Sequence, residues 1–250
     1  MQTVVSADGT EIAYESRGNG RPIVLVHGIA GSKESWRTIP ERLADDFRAV
    51  AMDRRGRGDS GDGDRYALQR EVEDVQAVLD AVGDDPVLFG HSFGGLVALE
   101  AAADADIDSL LLYEPAVVVG EHPGGVQRAA RMRDLLAAGD REQAVELFFR
   151  GFGGQELVDE MPIAAIAGIA ETVVREHDVV VEYGVDEFDA DVDAPARLVV
   201  GEASDDHVNR AVDAVADRLG ADVVTLAETG HHGLETAPAQ LEDAVRSFLD

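Results

Sequence analysis

The fold is decided by the stretch VLFGHSFGGLVALE, Val87 to Glu100. An apolar run stops at Gly90, a His-Ser-Phe follows, and two glycines lead into a second apolar stretch. Gly90-His91-Ser92-Phe93-Gly94 matches G-x-S-x-G, in which a serine sits on an abrupt strand-to-helix turn. The glycines have a physical reason. Such a turn strains the serine backbone, and nearby chain segments approach too closely for side chains. The helix behind the serine presents its amino end, where negative charge is favoured. The five-residue pattern is common; its place between a strand-like and a helix-like run makes Ser92 the candidate nucleophile.

Working outward, strand-like runs at Thr3–Val5 and Glu11–Ser16 flank an "ADGT" turn and predict a hairpin. PIVLVH (Pro22–His27), FRAVAM (Phe47–Met52), PVLFG (Pro86–Gly90) and SLLLY (Ser109–Tyr113) are short and nearly all apolar. Such runs suit strands buried on both faces of a parallel sheet. Helical patterns lie between them. Tyr66–Val82 puts Leu68, Val72, Val75, Val78, Leu79 and Val82 on one stripe, and Phe93–Ala103 follows the glycines. ARLVVG (Ala196–Gly201) and DVVTL (Asp222–Leu226) complete eight strands, with helices over Asn209–Leu219 and Ala239–Leu249. The alternation predicts an α/β protein with a doubly wound, mostly parallel sheet. It lapses between Val118 and Ala190. There the pattern predicts helices over Gly125–Ala137, Asp140–Arg150 and Pro162–His177, broken by Gly151, Gly153 and Gly154. The expected organisation is a core of residues 1–117 and 191–250, with 118–190 as a helical cap over the sheet's carboxyl edge.

The 250 residues include 50 acidic and 21 basic ones, a net charge of −29, and Lys33 is the lone lysine. That charge repels phosphates and anionic lipid surfaces, so neither nucleic acid nor membrane is an expected partner. The acids are spread along the chain, which points to a surface adapted to high salt; an acidic protein from a GC-rich genome is the blander reading. Cysteine is absent, excluding disulfides and thiolate chemistry. No secretory signal or membrane-length apolar run is visible, so a cytoplasmic protein is expected. His122, His177 and His207 lack metal-ligand spacing, and no metal or cofactor is expected.

A serine hydroxyl needs a base. ETGHHGLETAP, Glu228–Pro238, follows the last strand and offers two histidines; His231, directly after Gly230, is the expected base, with His232 as a packing neighbour. A tetrahedral intermediate needs two N–H donors. The Phe93 amide, after the nucleophile, is one. The Ile29 amide, in the His27–Gly31 loop after the first buried strand, is the other. His27 is expected to pack beneath the site. "DRRGRGDS" (Asp53–Ser60) lacks a P-loop ending and reads as a structural turn with locally bonded arginines. Trp36, with Phe93, Leu147 and Phe148, is a candidate lining for an apolar substrate pocket or, equally, core.

"HGIAGS", "DRRGRGDS", "GHSFGG" and "GHHGLETAP" occur in that order, and together they resemble the α/β-hydrolase superfamily, in its small members with a helical cap. The resemblance covers Gln2–Val117 and Arg197–Asp250; residues 118–190 carry none of it. It implies the α/β-hydrolase fold, a Ser-His-acid triad and no cofactor, and the first histidine of its G-H pattern supports His231. The family's usual G-x-x-D, counted from Gly201, lands on Ser204. Asp205 comes one residue late and Asp206 two. Glu114, in LLLYEP at the end of the strand after the elbow helix, is the preferred acid, because a carboxylate ending a buried strand needs a partner; some family members place the acid there. Asp205 is the alternative. The expectation is a serine hydrolase of a small, uncharged ester, as monomer or homodimer. A cofactor-free perhydrolase or haloperoxidase, a carbon–carbon bond hydrolase and an inactive ligand-binding protein stand as alternatives.

Overall fold

The amino-terminal hairpin pairs β1 (Gln2–Val5) with β2 (Glu11–Arg17), Gln2 opposite Tyr14 and Val5 opposite Glu11. A computed structural model of the chain describes residues 1–188 and 192–249. After the hairpin come β3 (Arg21–Val26), a 3₁₀ turn at Lys33–Trp36, α1 (Ile39–Leu43) and β4 (Phe47–Met52). The chain continues through α2 (Leu68–Val82), β5 (Val87–His91), α3 (Phe93–Ala102) and β6 (Ser109–Tyr113). Four helices follow: α4 (Pro123–Ala137), α5 (Arg141–Glu160), α6 (Ile163–Ile166) and α7 (Ala170–Glu182). The last segment holds β7 (Ala196–Gly201), α8 (Asp206–Leu219), β8 (Asp222–Leu226), α9 (Gly233–Thr236) and α10 (Pro238–Leu249).

The eight strands form one sheet in the order β1-β2-β4-β3-β5-β6-β7-β8. From β4 to β8 every pairing is parallel; β2 joins β4 antiparallel. The buried strands obey the two-residue pleat. Ile23, Leu25, Phe89, Leu111 and Val199 face one core, shared with Ile39 and Leu43 of α1 and Leu241 and Val245 of α10. Their alternates Val24, Val26, Leu88, Leu110, Leu112 and Leu198 are equally buried and face the opposite side. Strand order reverses at β3, which has β4 on one side and β5 on the other. The carboxyl ends of strands beside such a reversal form the crevice where open α/β sheets bind ligands.

The described residues divide into two compact units, 118–184 and the remainder. The expected boundary at 190/191 lies outside the described residues; the division falls at Gly184/Val185 instead. The ends of the helical unit meet in a parallel bridge between Val118 and Gly184. The expected break at Gly151 does not occur. The helix runs through it, and the expected breaks at Gly153 and Gly154 are there: non-helical backbone kinks the chain and divides α5 into two helical stretches, the second ending at Glu160. A helix tolerates one interior glycine at about 1 kcal/mol. The stretch expected as one helix over 162–177 is split by a 3₁₀ turn at Ala167–Ile169, and α7 continues to Glu182. No helix among the described residues is long and apolar enough to cross a membrane.

The seating of α3 rests on Gly94. A Cβ there would lie 2.5 Å from the His27 carbonyl oxygen and nearer still to that of Val26, the last residue of β3. Gly94→Ala is therefore expected to lower stability by about 1–3 kcal/mol through overpacking. Gly124→Ala, at a helical position with nothing within 4 Å of the new methyl, is expected to raise it by about 0.4–1 kcal/mol. Urea unfolding midpoints check both.

Candidate active site

Ser92 sits between β5 and α3 with φ 55° and ψ −121°, left-handed backbone that costs a non-glycine residue about 1–3 kcal/mol. Its surroundings fix it there. The Ser92 N–H donates to the Tyr113 carbonyl at 2.9 Å, and the Ser92 carbonyl accepts from the Gly95, Leu96 and Ala116 amides. The first amides of α3 to bond back are thus those of Gly95 and Leu96, and the Phe93 amide precedes the helical ladder. Gly28 stands against the serine: a Cβ on it would be 3.0 Å from Ser92 Cβ and 3.5 Å from its Oγ. The His27–Gly31 loop, with Ile29 and a left-handed Ala30 (φ 60°), therefore borders the hydroxyl.

The base of that loop is held by DRRGRGDS. The Arg54 N–H donates to His27 Nε2 at 3.1 Å, so the His27 proton is on Nδ1, which donates to the Gly28 carbonyl at 2.9 Å. The buried Arg54 guanidinium donates from Nε to the His27 carbonyl (2.9 Å), from Nη2 to the Gly28 carbonyl (3.1 Å) and from Nη1 to Glu71 (2.9 Å). It also lies over the Phe93 ring, 4.8 Å from its centroid. Arg55 grips the Asp74 carboxylate with two bonds of 2.7 Å. Asp53 accepts from the Lys33 amide and Nζ and from the Asp59 amide. The segment acts as internal structure.

His231 lies on the loop between β8 and α9, its ring 4.7 Å from that of His91, the residue before Ser92. Its Nδ1 is 2.6 Å from Glu114 Oε2. Glu114 follows β6, also with positive φ (45°), and is buried. Its other oxygen accepts from the Gly201 amide at 2.8 Å and from Ser204 Oγ at 2.5 Å. Burial alone would raise the Glu114 pKa; the His231, Gly201 and Ser204 bonds outweigh it and hold the carboxyl below its ordinary value. An ionised Glu114 assigns the His231 proton to Nδ1 and leaves Nε2 as the basic nitrogen. Asp205 and Asp206 stand exposed at the amino end of α8. The carboxylate in contact with His231 is that of Glu114. Ser204, at the position where the G-x-x-D pattern puts an aspartate, donates to that glutamate.

Two groups escaped the sequence reading. His91 Nε2 lies 3.0 Å from the His231 carbonyl. The buried Tyr113 hydroxyl donates to the Gly230 carbonyl and accepts from the Gly233 amide at 3.1 Å. Both hold the His231 loop by its backbone. A tyrosine ending a buried strand needs a partner for its hydroxyl, and that was the available signal. Of the two readings of Trp36, pocket lining or core, the structure places it in the core: it is fully buried, its ring edge-on to Phe89 at 5.0 Å. The Phe93 ring is buried as well. Among the described residues no cluster of three or more His, Asp or Glu side chains could hold a metal ion.

The profile of the alpha/beta hydrolase family matches residues 23–244. An alpha/beta hydrolase from Sphaerobacter thermophilus DSM 20745 is 34% identical, with a TM-score of 0.87 over all of both chains. The esterase RhEst1 from Rhodococcus sp. ECU1013 is 26% identical, with a TM-score of 0.75 over 99% of this chain and 97% of that one. A non-heme haloperoxidase from Rhodococcus erythropolis is 39% identical over 98 residues, 38% of this chain and 36% of that protein. The chain spans about a third to about half the length of the curated relatives it matches.

The site is expected to make the protein acid-sensitive in two ranges. Burial, then the Arg54 charge, pushes the His27 pKa well below 6.5. Burial, then the His231 ring, does the same at His91. Below pH 6.5 the unfolded chain takes up protons that these folded imidazoles refuse, so stability falls with pH. Glu114 adds stability above its ordinary pKa of 4.5 that is lost as pH falls toward its depressed folded value. Urea midpoints followed from pH 8 down to 3 are expected to decline below about 6.5 and more steeply below about 4.5. Glu114→Gln is expected to flatten the second decline and leave the first.

Proposed function

The chain belongs to the alpha/beta hydrolase family, and from that membership and the site geometry we propose that it is a serine hydrolase of small esters or related acyl compounds. The observation that carries the reading is the 2.6 Å contact of Glu114 with His231 Nδ1, with the His231 ring 4.7 Å from that of His91, the residue before Ser92. Ser92 Oγ attacks the substrate carbonyl carbon as His231 Nε2 takes its proton. Glu114 holds the ring and stabilises the imidazolium without itself becoming protonated. The Ile29 and Phe93 amides bind the oxyanion. His231 returns the proton to the leaving group, giving an acyl-Ser92 ester. It then takes a proton from water, whose attack releases the acid and restores Ser92. The likeness to an esterase of similar size supports an ester substrate. The matched segment of a haloperoxidase supports a second reading, formation of a peracid from a carboxylic acid and hydrogen peroxide at the same serine.

Assays belong in concentrated salt, where the −29 charge is screened. Ser92→Ala and His231→Ala are expected to lose nitrophenyl butyrate hydrolysis by at least about 10³-fold. Glu114→Gln is expected to lose about 10²–10⁴-fold, while Asp205→Asn keeps wild-type activity. Full activity in Ser92→Ala would sink the proposal, and failure of a fluorophosphonate to label Ser92 would sink it in favour of a binding protein. Peroxide-dependent halogenation exceeding ester hydrolysis would favour the second reading.

A further inference from the structure

Within the helical unit, Arg128 of α4 meets His177 of α7. Arg128 Nε–H donates to His177 Nε2 at 3.2 Å, and its guanidinium lies 5.3 Å from the centroid of the Phe152 ring. His177 is 1% exposed, with the Phe148 and Phe152 rings edge-on to it at 5.6 and 6.4 Å. A donor on Nε2 requires a lone pair there, so His177 is neutral with its proton on Nδ1. Burial, then the Arg128 charge, then His122, holds the His177 pKa down to about 3. Its Nδ1 is buried with no hydrogen-bond partner.

Arg128 therefore has an acceptor but no counter-charge. Arg133, Arg141 and Arg150 of the same unit each meet a carboxylate, of Asp178, Glu171 and Glu146. Among the described residues Arg128 meets none. A half-buried guanidinium without an anion is unfavourable, and burial pulls its pKa down. With Nε engaged, the Nη1–Nη2 end is left, the fork that receives a carboxylate through two parallel bonds. Gly151 makes the room: a Cβ there would fall on Arg128 Nη1 and lie 2.5 Å from its Cζ and 2.6 Å from its Nε, so the Nη2 side of the fork is the one turned away from α5. Phe152, 42% exposed, adds apolar surface beside the charge.

We infer that Arg128 is the anion-binding residue of a site in the helical unit that takes a small carboxylate with an apolar body. His177 is its positioning residue, orienting the fork while adding no negative charge. This site does not rest on the hydrolytic reading.

Isothermal titration of the full chain with benzoate tests it, with benzamide as the uncharged analogue. Benzoate is expected to bind one to one and benzamide not to bind. Arg128→Gln is expected to weaken benzoate at least about tenfold, the loss of a charged hydrogen-bonded pair. Gly151→Ala keeps the charge and displaces the fork, and is expected to weaken binding likewise. Arg128→Lys, a point charge without the fork, serves if Arg128→Gln fails to fold by near-UV circular dichroism, and is also expected to weaken it. Ser92→Ala is expected to bind as the wild type does, separating this site from the elbow. No benzoate binding to the wild type, equal binding by a folded Arg128 variant, or loss of binding in Ser92→Ala would overturn the inference.

Discussion

The close approach of α3 to the end of β3, with Gly94 against the Val26 and His27 carbonyls, is the constraint on which the site depends. Because the helix starts that near the sheet, the chain must reverse within one residue, and Ser92 takes the left-handed backbone. Gly90 serves the same turn, since a Cβ there would lie 2.6 Å from Gly95 Cα. Parallel register does the rest. His91 pairs with Tyr113 and Tyr113 with Val199, so Ser92 and Glu114 leave the sheet side by side and Gly201 comes within reach of Glu114. Gly201 pairs with Leu226, which brings the His231 loop to the same edge. Four segments far apart in sequence are joined by one sheet and its pleat.

Electrostatics at that edge follow from what each buried charge is given. Glu114 tolerates burial because three donors face its two oxygens. Arg54 and Arg55 tolerate it because Glu71 and Asp74 meet them inside the protein. Buried pairs of this kind add little net stability, and their value lies in fixing geometry. Arg54 shows this best: it ties two carbonyls of the loop carrying Ile29 to α2 and stacks on Phe93. The charges of Arg54 and Arg55 in DRRGRGDS are met inside the protein, in keeping with its lack of a phosphate-loop ending.

Much of this was legible in the sequence. Doubly buried strands announce themselves as apolar runs, and Phe47–Met52 and Ser109–Tyr113 match the observed strands end to end. The short helices α1 and α9 were not foreseen, because four or five residues hold too little periodicity to register. In the 118–184 unit glycine marks the interruption of α5 at Gly153 and Gly154 but not at Gly151. At Gly151 its function is to admit a guanidinium, which only the fold reveals. Trp36 was ambiguous because composition cannot separate pocket from core. Glu114 ranks above Asp205 because a carboxylate ending a buried strand must find donors, but the donors themselves, Gly201 at the end of β7 and Ser204 in the turn after it, lie 87 and 90 residues away. His91 acts on a backbone atom of a distant loop, a role with no sequence signature, and the buried end of β6 signals only that the Tyr113 hydroxyl has a partner, not which.

The central claim is that Glu114 is the carboxylate bonded to the Nδ1 proton of His231. The most direct measurement is the proton NMR spectrum of the His231 ring, read in the far-downfield region where a short imidazole-to-carboxylate hydrogen bond appears. The account predicts one such resonance, lost in Glu114→Gln and His231→Ala and unchanged in Asp205→Asn. A resonance that survives Glu114→Gln and disappears in Asp205→Asn would contradict it.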